Sequence, residues 1–126
     1  MASPKVRVGV VDDNRSVAEI ISEVLGSRDF ECFDAYDGRG AIELAKSRRL
    51  DILILDFVLP DLDGLEVVRR LEALGVSVPT VMITGVGSDP PGGWKASPSV
   101  RAVIRKPFTA GELRRTVSEI TGHELP

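Results

Sequence analysis

The spacing of apolar residues changes repeatedly along the chain, between short solid runs and recurrences of three and four. Residues 5–11 alternate and then turn solidly apolar through Val8, Gly9, Val10 and Val11, a strand that ends at Asp12, Asp13 and Asn14. Val17, Ile20, Ile21, Val24 and Leu25 follow at i, i+3, i+4, i+7 and i+8, one face of a helix that Ser16 with Glu19 opens as a capping box and Gly26 stops. Residues 30–35 form a short aromatic second strand punctuated by Asp37 and Gly38. Ala41, Ile42, Leu44 and Ala45 mark a second helix running into Lys46, Arg48 and Arg49, a favourable charge at a helix C-terminus. The four aliphatic residues 52–55 then lead straight into Asp56, as a strand buried on both faces does. Pro60 and Gly64 break that strand, and Asp61 and Asp63 hydrate the turn. Leu65, Val68, Leu71 and Leu74 define a third helix closed by Gly75. Residues 79–84 and 101–105 give the fourth and fifth strands, and Thr109 with Glu112 caps a last helix whose Leu113, Val117 and Ile120 face inward.

Five strands alternating with helices imply βαβ crossovers and a parallel sheet covered on both faces. Residues 85–99 resist the scheme, because they hold Pro90, Pro91, Gly92, Gly93 and Pro98. A helix-interior Pro costs ~3 kcal/mol and Gly ~1 kcal/mol relative to Ala. A loop is expected there, with at most a helical turn around 94–97.

Composition narrows the function classes. A chain of 126 residues, 43% apolar and 28% charged, is expected to form one domain with its own core. Its net charge of −3 argues against nucleic acid as a direct partner. The single cysteine, Cys32, excludes an internal disulfide and a Cys-rich metal site and fits a reducing cytoplasm. No apolar run approaches the ~20 residues of a membrane span, so no membrane insertion is expected. The lone His123 reads as a solvated tail residue.

The chemistry lies at the strand ends. Open parallel sheets bind ligands at the carboxyl ends of their strands, and here those ends carry Asp12 and Asp13, Asp56, Thr84 and, just past the fifth strand, Lys106. Carboxylates crowded together repel by ~4 kcal/mol per pair at about 4 Å with an effective dielectric of 20. A hard cation makes the cluster tolerable, and Mg2+ suits because it takes few carboxylates, keeps waters and accepts phosphate oxygens. A lysine beside it would neutralise an arriving dianion and a threonine hydroxyl could hydrogen-bond it. Phosphoryl transfer onto a carboxylate is the coherent chemistry.

On these residues the chain resembles the response-regulator receiver domains of bacterial two-component signalling, from Val6 to about Ile120. The motifs are the acidic pair Asp12-Asp13, the acceptor stretch Asp56-Phe57-Val58-Leu59-Pro60 with Gly64 behind it, Thr84, and Lys106-Pro107-Phe108. The resemblance implies a flavodoxin-like (βα)5 doubly wound, five-stranded parallel sheet in strand order 2-1-3-4-5, the fourth helix short or replaced by a Pro/Gly loop. It implies a single receiver domain over residues 1–126, core about 5–121, standing alone and acting by binding a protein target that the sequence does not identify. Asp56 would accept the phosphoryl group from a phosphohistidine of a sensor histidine kinase or histidine phosphotransfer protein. Asp13, Asp56 and the backbone carbonyl of Val58 would bind Mg2+, with Asp12 acting largely through water. Thr84 would move to meet the phosphoryl group and Lys106 would pair with it. Lys106–Pro107 would be a cis bond. Such a chain is a signalling phosphoacceptor, catalysing only its own phosphorylation and dephosphorylation, and is a monomer or a weak phosphorylation-dependent dimer.

The chain also departs from the family pattern. Val103 stands three residues before Lys106, where receivers commonly carry the Tyr or Phe of a rotamer switch. Val58 and Val86 stand two residues after Asp56 and Thr84, where polar groups often position hydrolytic water, so slow loss of phosphate is expected. Trp94 is either a partner contact or an anchor folding the loop back on the sheet edge. Rival readings are weaker. An EF-hand with Gly64 at its sixth position would place Arg70 at the twelfth, which excludes calcium ligation. A haloacid-dehalogenase-like phosphatase wants a second Asp where Val58 stands. A pseudo-receiver, an interaction module that never takes phosphate, is the alternative that keeps the same fold.

Overall fold

In a computed structural model, the structure describes residues 4–85, 94, 95 and 97–123. The elements run β1 (Val6–Val11), α1 (Arg15–Leu25), β2 (Phe30–Ala35), α2 (Gly38–Ser47), β3 (Ile52–Asp56), α3 (Gly64–Ala73), β4 (Thr80–Thr84), β5 (Val100–Arg105) and α4 (Ala110–Thr121). All five strands are parallel, in the order β2-β1-β3-β4-β5. The order reverses beside β1, so β1 and β3 sit side by side at the switch point, where the crossovers leave a crevice at their carboxyl ends.

Period-two alternation divides the core. Val8, Val10, Ile52, Ile54, Val81 and Ile83 face α1 and α4, with Ile21, Leu113 and Val117 packed against them. Val11, Leu53, Leu55 and Met82 face α2 and α3, over Ala41, Val67 and Leu71. Every residue of β3 is buried, which is why its sequence is a solid apolar run rather than an alternating one. Gly9 makes room on the α2 side, since a Cβ there would lie 2.8 Å from Leu50 Cδ1 and 2.9 Å from Leu53 Cδ1.

Several local expectations are corrected. The N-cap of α1 is Asn14, whose Oδ1 accepts from the Ser16 and Val17 N–H groups, so the Ser16–Glu19 capping box does not form. Asp61 and Asp63 do more than hydrate a turn: Asp63 caps α3 through the Glu66 N–H, and Asp61 accepts from the N–H groups of Gly38 and Arg39 at the start of α2. Leu74 is the C-cap of α3 and is 57% exposed, whereas Val67, which lacked the expected spacing, is fully buried. His123 packs rather than floats: its ring meets Phe30 edge-on at 5.6 Å, Nε2 lies 3.7 Å from Asp29 Oδ1, and its carbonyl accepts from Ser118 Oγ.

The expected capping by Thr109 holds, with its hydroxyl accepting from the Glu112 N–H. Of the irregular segment 85–99, residues 86–93 and 96 lie outside the described residues, and with them Val86 and the Pro90–Gly93 part of the expected loop. The short turn expected near 94–97 is present, the Ser97 N–H donating to the Trp94 carbonyl at 3.1 Å. Trp94 is half-buried against the α2/α3 side of the core, and the hydroxyls of Ser97 and Ser99 donate to Glu72 on α3. No described helix is long and apolar enough to cross a membrane.

Candidate functional site

The carboxyl ends of β1, β3, β4 and β5 bring Asp12, Asp13, Asp56, Thr84 and Lys106 into one crevice. Asp12 follows β1 directly and is 1% exposed, while Asp56 is the last residue of β3 and is 7% exposed. A carboxylate oxygen from each of Asp12, Asp13 and Asp56 lies within 4.8 Å of the others; Asp13 is the exposed member. Local backbone geometry aims these groups. Asp12 Oδ1 accepts the Asn14 N–H at 2.9 Å, and Asp56 Oδ1 accepts the Val58 N–H at 3.2 Å. The Phe57 N–H continues the β3–β4 ladder to the Ile83 carbonyl, and the Gly64 N–H donates to the Phe57 carbonyl at 2.7 Å, closing the loop behind Asp56. Gly64 is required there: a Cβ would sit 2.6 Å from Met82 Sδ, 3.0 Å from Phe57 Cα and 3.1 Å from the Asp56 carbonyl.

Lys106 joins the two sides of the crevice. Its backbone N–H donates to the Thr84 carbonyl at 2.7 Å, and its ammonium lies 3.1 Å from Asp12 Oδ2 and 3.2 Å from Asp56 Oδ2. The Lys106–Pro107 peptide is cis, as expected. Thr84 is fully buried, and its hydroxyl has no hydrogen-bond partner among the described residues.

The electrostatics follow from three carboxylates facing one ammonium. Burial pushes the Asp56 pKa above its ordinary value; Lys106 opposes this and the charge of Asp12 adds to it. Burial pulls the Lys106 pKa down, but its hydrogen bonds and charge contacts with Asp12 and Asp56 outweigh that and hold it above the ordinary value. Both groups therefore keep their protons more tightly, Asp56 chiefly because it is buried and Lys106 because two carboxylates face it.

The cluster is chemically suited to a hard divalent ion. All its side-chain donors are carboxylate oxygens, two are buried and one is open to solvent, and Asp56 retains acceptor capacity on each oxygen. Val58 is 57% exposed beside Asp56 and brings no polar side chain. Next to Lys106, Val17, Ile20, Pro107 and Phe108 line an apolar groove.

The structure thus gathers every side chain expected at the site. What local patterns missed is its supporting shell. Asn14 was legible as an Asx cap next to the acidic pair. The tie from Asp61 to Gly38 and Arg39 spans 23 and 22 residues and leaves no local sequence signal.

Fold and site together define a receiver-type signalling domain. The family model for the response regulator receiver domain matches residues 8–118, and the chain belongs to that family. It is similar to response regulator MprA of Mycolicibacterium vanbaalenii, 42% identical over 79 residues that make up 63% of this chain and 34% of that protein. The chain spans about a third of the length of the curated relatives it matches. Among solved structures it resembles a CheY-like response regulator receiver domain protein of Methanospirillum hungatei, with TM-score 0.84, 24% identity and 94% of this chain and 96% of that chain covered. It also resembles chemotaxis protein CheY4 of Vibrio cholerae, with TM-score 0.81, 26% identity and coverage of 93% and 99%.

Proposed function

We propose that the chain is a phosphoacceptor whose Asp56 takes a phosphoryl group from a phosphohistidine on a histidine kinase or histidine phosphotransfer protein. The observation that carries this reading is the Lys106 ammonium bridging Asp12 and Asp56 across a carboxylate cluster, with the Lys106 backbone bonded to Thr84, whose buried hydroxyl has no partner among the described residues. In the transfer, the P–N bond to the donor imidazole breaks as a P–O bond to an Asp56 oxygen forms. Lys106 then exchanges its Asp56 contact for a phosphoryl oxygen, and Thr84 supplies a hydrogen bond to another. Asp13, Asp56 and the Val58 carbonyl would hold Mg2+, with Asp12 acting through water, and the ion would supply charge neutralisation for the phosphoryl oxygens. The apolar groove of Val17, Ile20, Pro107 and Phe108 gives a donor protein a surface next to Lys106. A downstream protein then reads the changed surface. The signalling role sits in one receiver unit, in a reducing cytoplasm, as a monomer or a weak phosphorylation-dependent dimer.

Intact mass after incubation with a small-molecule phosphodonor tests this. Wild type is expected to gain one phosphoryl group only with Mg2+ present, and Asp56→Asn none. Followed over time, the phosphorylated mass should decay slowly, since Val58 offers no group to position water. No gain in folded wild-type protein would leave a protein-interaction module that takes no phosphate.

A further inference from the structure

We propose that the groove between α2 and α3 docks an amphipathic helix of a partner protein, one that presents aliphatic side chains flanked by carboxylates. Arg39, Ile42, Glu43, Arg70, Ala73 and Leu74 line an open groove of about 520 Å3, which shares no lining residue with the phosphoacceptor site. Its apolar surface is uncovered: Leu74 is 57% exposed and Ile42 only half-buried. Scattered exposed leucines need no explanation, but one that joins Ile42 and Ala73 in a trough between two helices forms a contiguous apolar patch. Two neighbouring helices leave a furrow into which the i, i+3, i+4 side chains of a third helix fit.

The charge on the rim selects the occupant. Glu43 is answered by Lys46 at 3.4 Å, and Arg70 by Glu66 at 3.1 Å. Two arginines and one glutamate line the groove, and Arg39 has no ion pair among the described residues, so the lining carries a net positive charge that calls for a carboxylate on the incoming helix. A second copy of this chain would bring the same positive rim and meet like charge. The backbone of Arg39 is also fixed in advance, because the Asp61 carboxylate accepts from its N–H at 3.0 Å and from the Gly38 N–H at 2.7 Å. Docking there goes beyond phosphoryl transfer and does not require it, so the unphosphorylated protein suffices for the test.

The test titrates isotope-labelled full chain with a synthetic amphipathic peptide of about four helical turns, leucines on one face and glutamates on its flanks, followed by amide NMR. A peptide with lysine flanks is run beside it. The glutamate-flanked peptide is expected to shift the amides of Arg39, Ile42, Glu43, Ala73 and Leu74. Leu74→Ser should weaken it about tenfold or more, and Arg39→Glu should reverse the preference toward lysine flanks. Both positions are exposed, so the variants should keep the wild-type unfolding midpoint; the flank swap makes the same comparison on unaltered protein. Equal binding of the two peptides, binding elsewhere, or no binding overturns the proposal. So does sedimentation showing wild-type self-association that Leu74→Ser dissolves, which would make a second copy the occupant.

Discussion

The half of the site built at the ends of β1 and β3 differs from the half built at the ends of β4 and β5 in how its polar atoms are held. Asp12 and Asp56 each accept a backbone N–H from two residues further along, Asn14 and Val58, so the carboxylates are set by their own loops. On the other side, Lys106 reaches across to those carboxylates and the Thr84 hydroxyl bonds to none of the described residues. One half is fixed in place and carries excess negative charge. The other holds a cation on a long side chain, ion-paired across the crevice, and a hydrogen-bonding group unused among the described residues. A guest that brings both a divalent cation and phosphoryl oxygens relieves the first and occupies the second, and this is the arrangement a phosphoacceptor needs.

The largest expected effect comes from removing the residue that spans the two halves. Lys106→Met leaves Asp12 and Asp56 buried without their ammonium. Breaking a fully buried pair costs 3–5 kcal/mol; with Lys106 about a third exposed, a loss of about 2 kcal/mol at neutral pH is expected. Urea unfolding at neutral pH and again near pH 4 checks this, since Asp56, whose pKa is raised, no longer needs the lysine once protonated and the loss should shrink. A loss as large in acid as at neutral pH would mean that Lys106 acts through packing rather than charge.

A smaller effect of opposite sign is expected when the fixed half gives up a charge. The Asp56 pKa is raised in the folded state, so the unfolded chain releases that proton first. Stability is therefore lost as pH rises from the ordinary carboxylate range through the folded pKa, and the cost is fully present above it. Asp56→Asn removes it and should stabilise the protein by about 0.5–2 kcal/mol at neutral pH. The gain should fade toward pH 4 in parallel thermal melts. If Asp56→Asn destabilises at neutral pH, the attraction of Lys106 outweighs burial and the Asp12 repulsion.

The same division governs how much could be read from the sequence. Most strands were legible as continuous or alternating apolar runs, β2 only by its short aromatic segment, and β3 most clearly because burial on both faces leaves no polar residue before Asp56. The site side chains were legible because a parallel sheet collects whatever stands at its strand ends. Contacts set by non-local packing were not. Leu74 satisfies the helical spacing yet falls at the C-cap, where the chain turns out of the helix toward Gly75 at φ 77. Ser16 and Glu19 match a capping box, but Asn14 lies closer to the end of β1 and takes the N–H groups first. The Asp61 tie to α2 depends on how two loops meet after folding, which neither loop encodes alone.

The smallest and sharpest comparison lies within β4, whose two ends each carry a buried threonine. Thr80 is 1% exposed and its hydroxyl donates to the Val78 carbonyl at 2.9 Å; Thr84 is 0% exposed and its hydroxyl has no partner among the described residues. Replacing threonine by valine preserves shape and removes only the hydroxyl. At Thr80 a made hydrogen bond disappears, which should cost about 1 kcal/mol. At Thr84 an unsatisfied buried group disappears, so the result should lie between no change and about 1 kcal/mol of stabilisation. Chemical unfolding of Thr80→Val and Thr84→Val, without phosphodonor or metal, separates the two. Equal losses would mean that the Thr84 hydroxyl is already bonded in the resting protein and is not held in reserve for a guest. A loss at Thr80 alone would mean that the fold carries the cost of an idle hydroxyl at the one strand end where an incoming phosphoryl oxygen could use it.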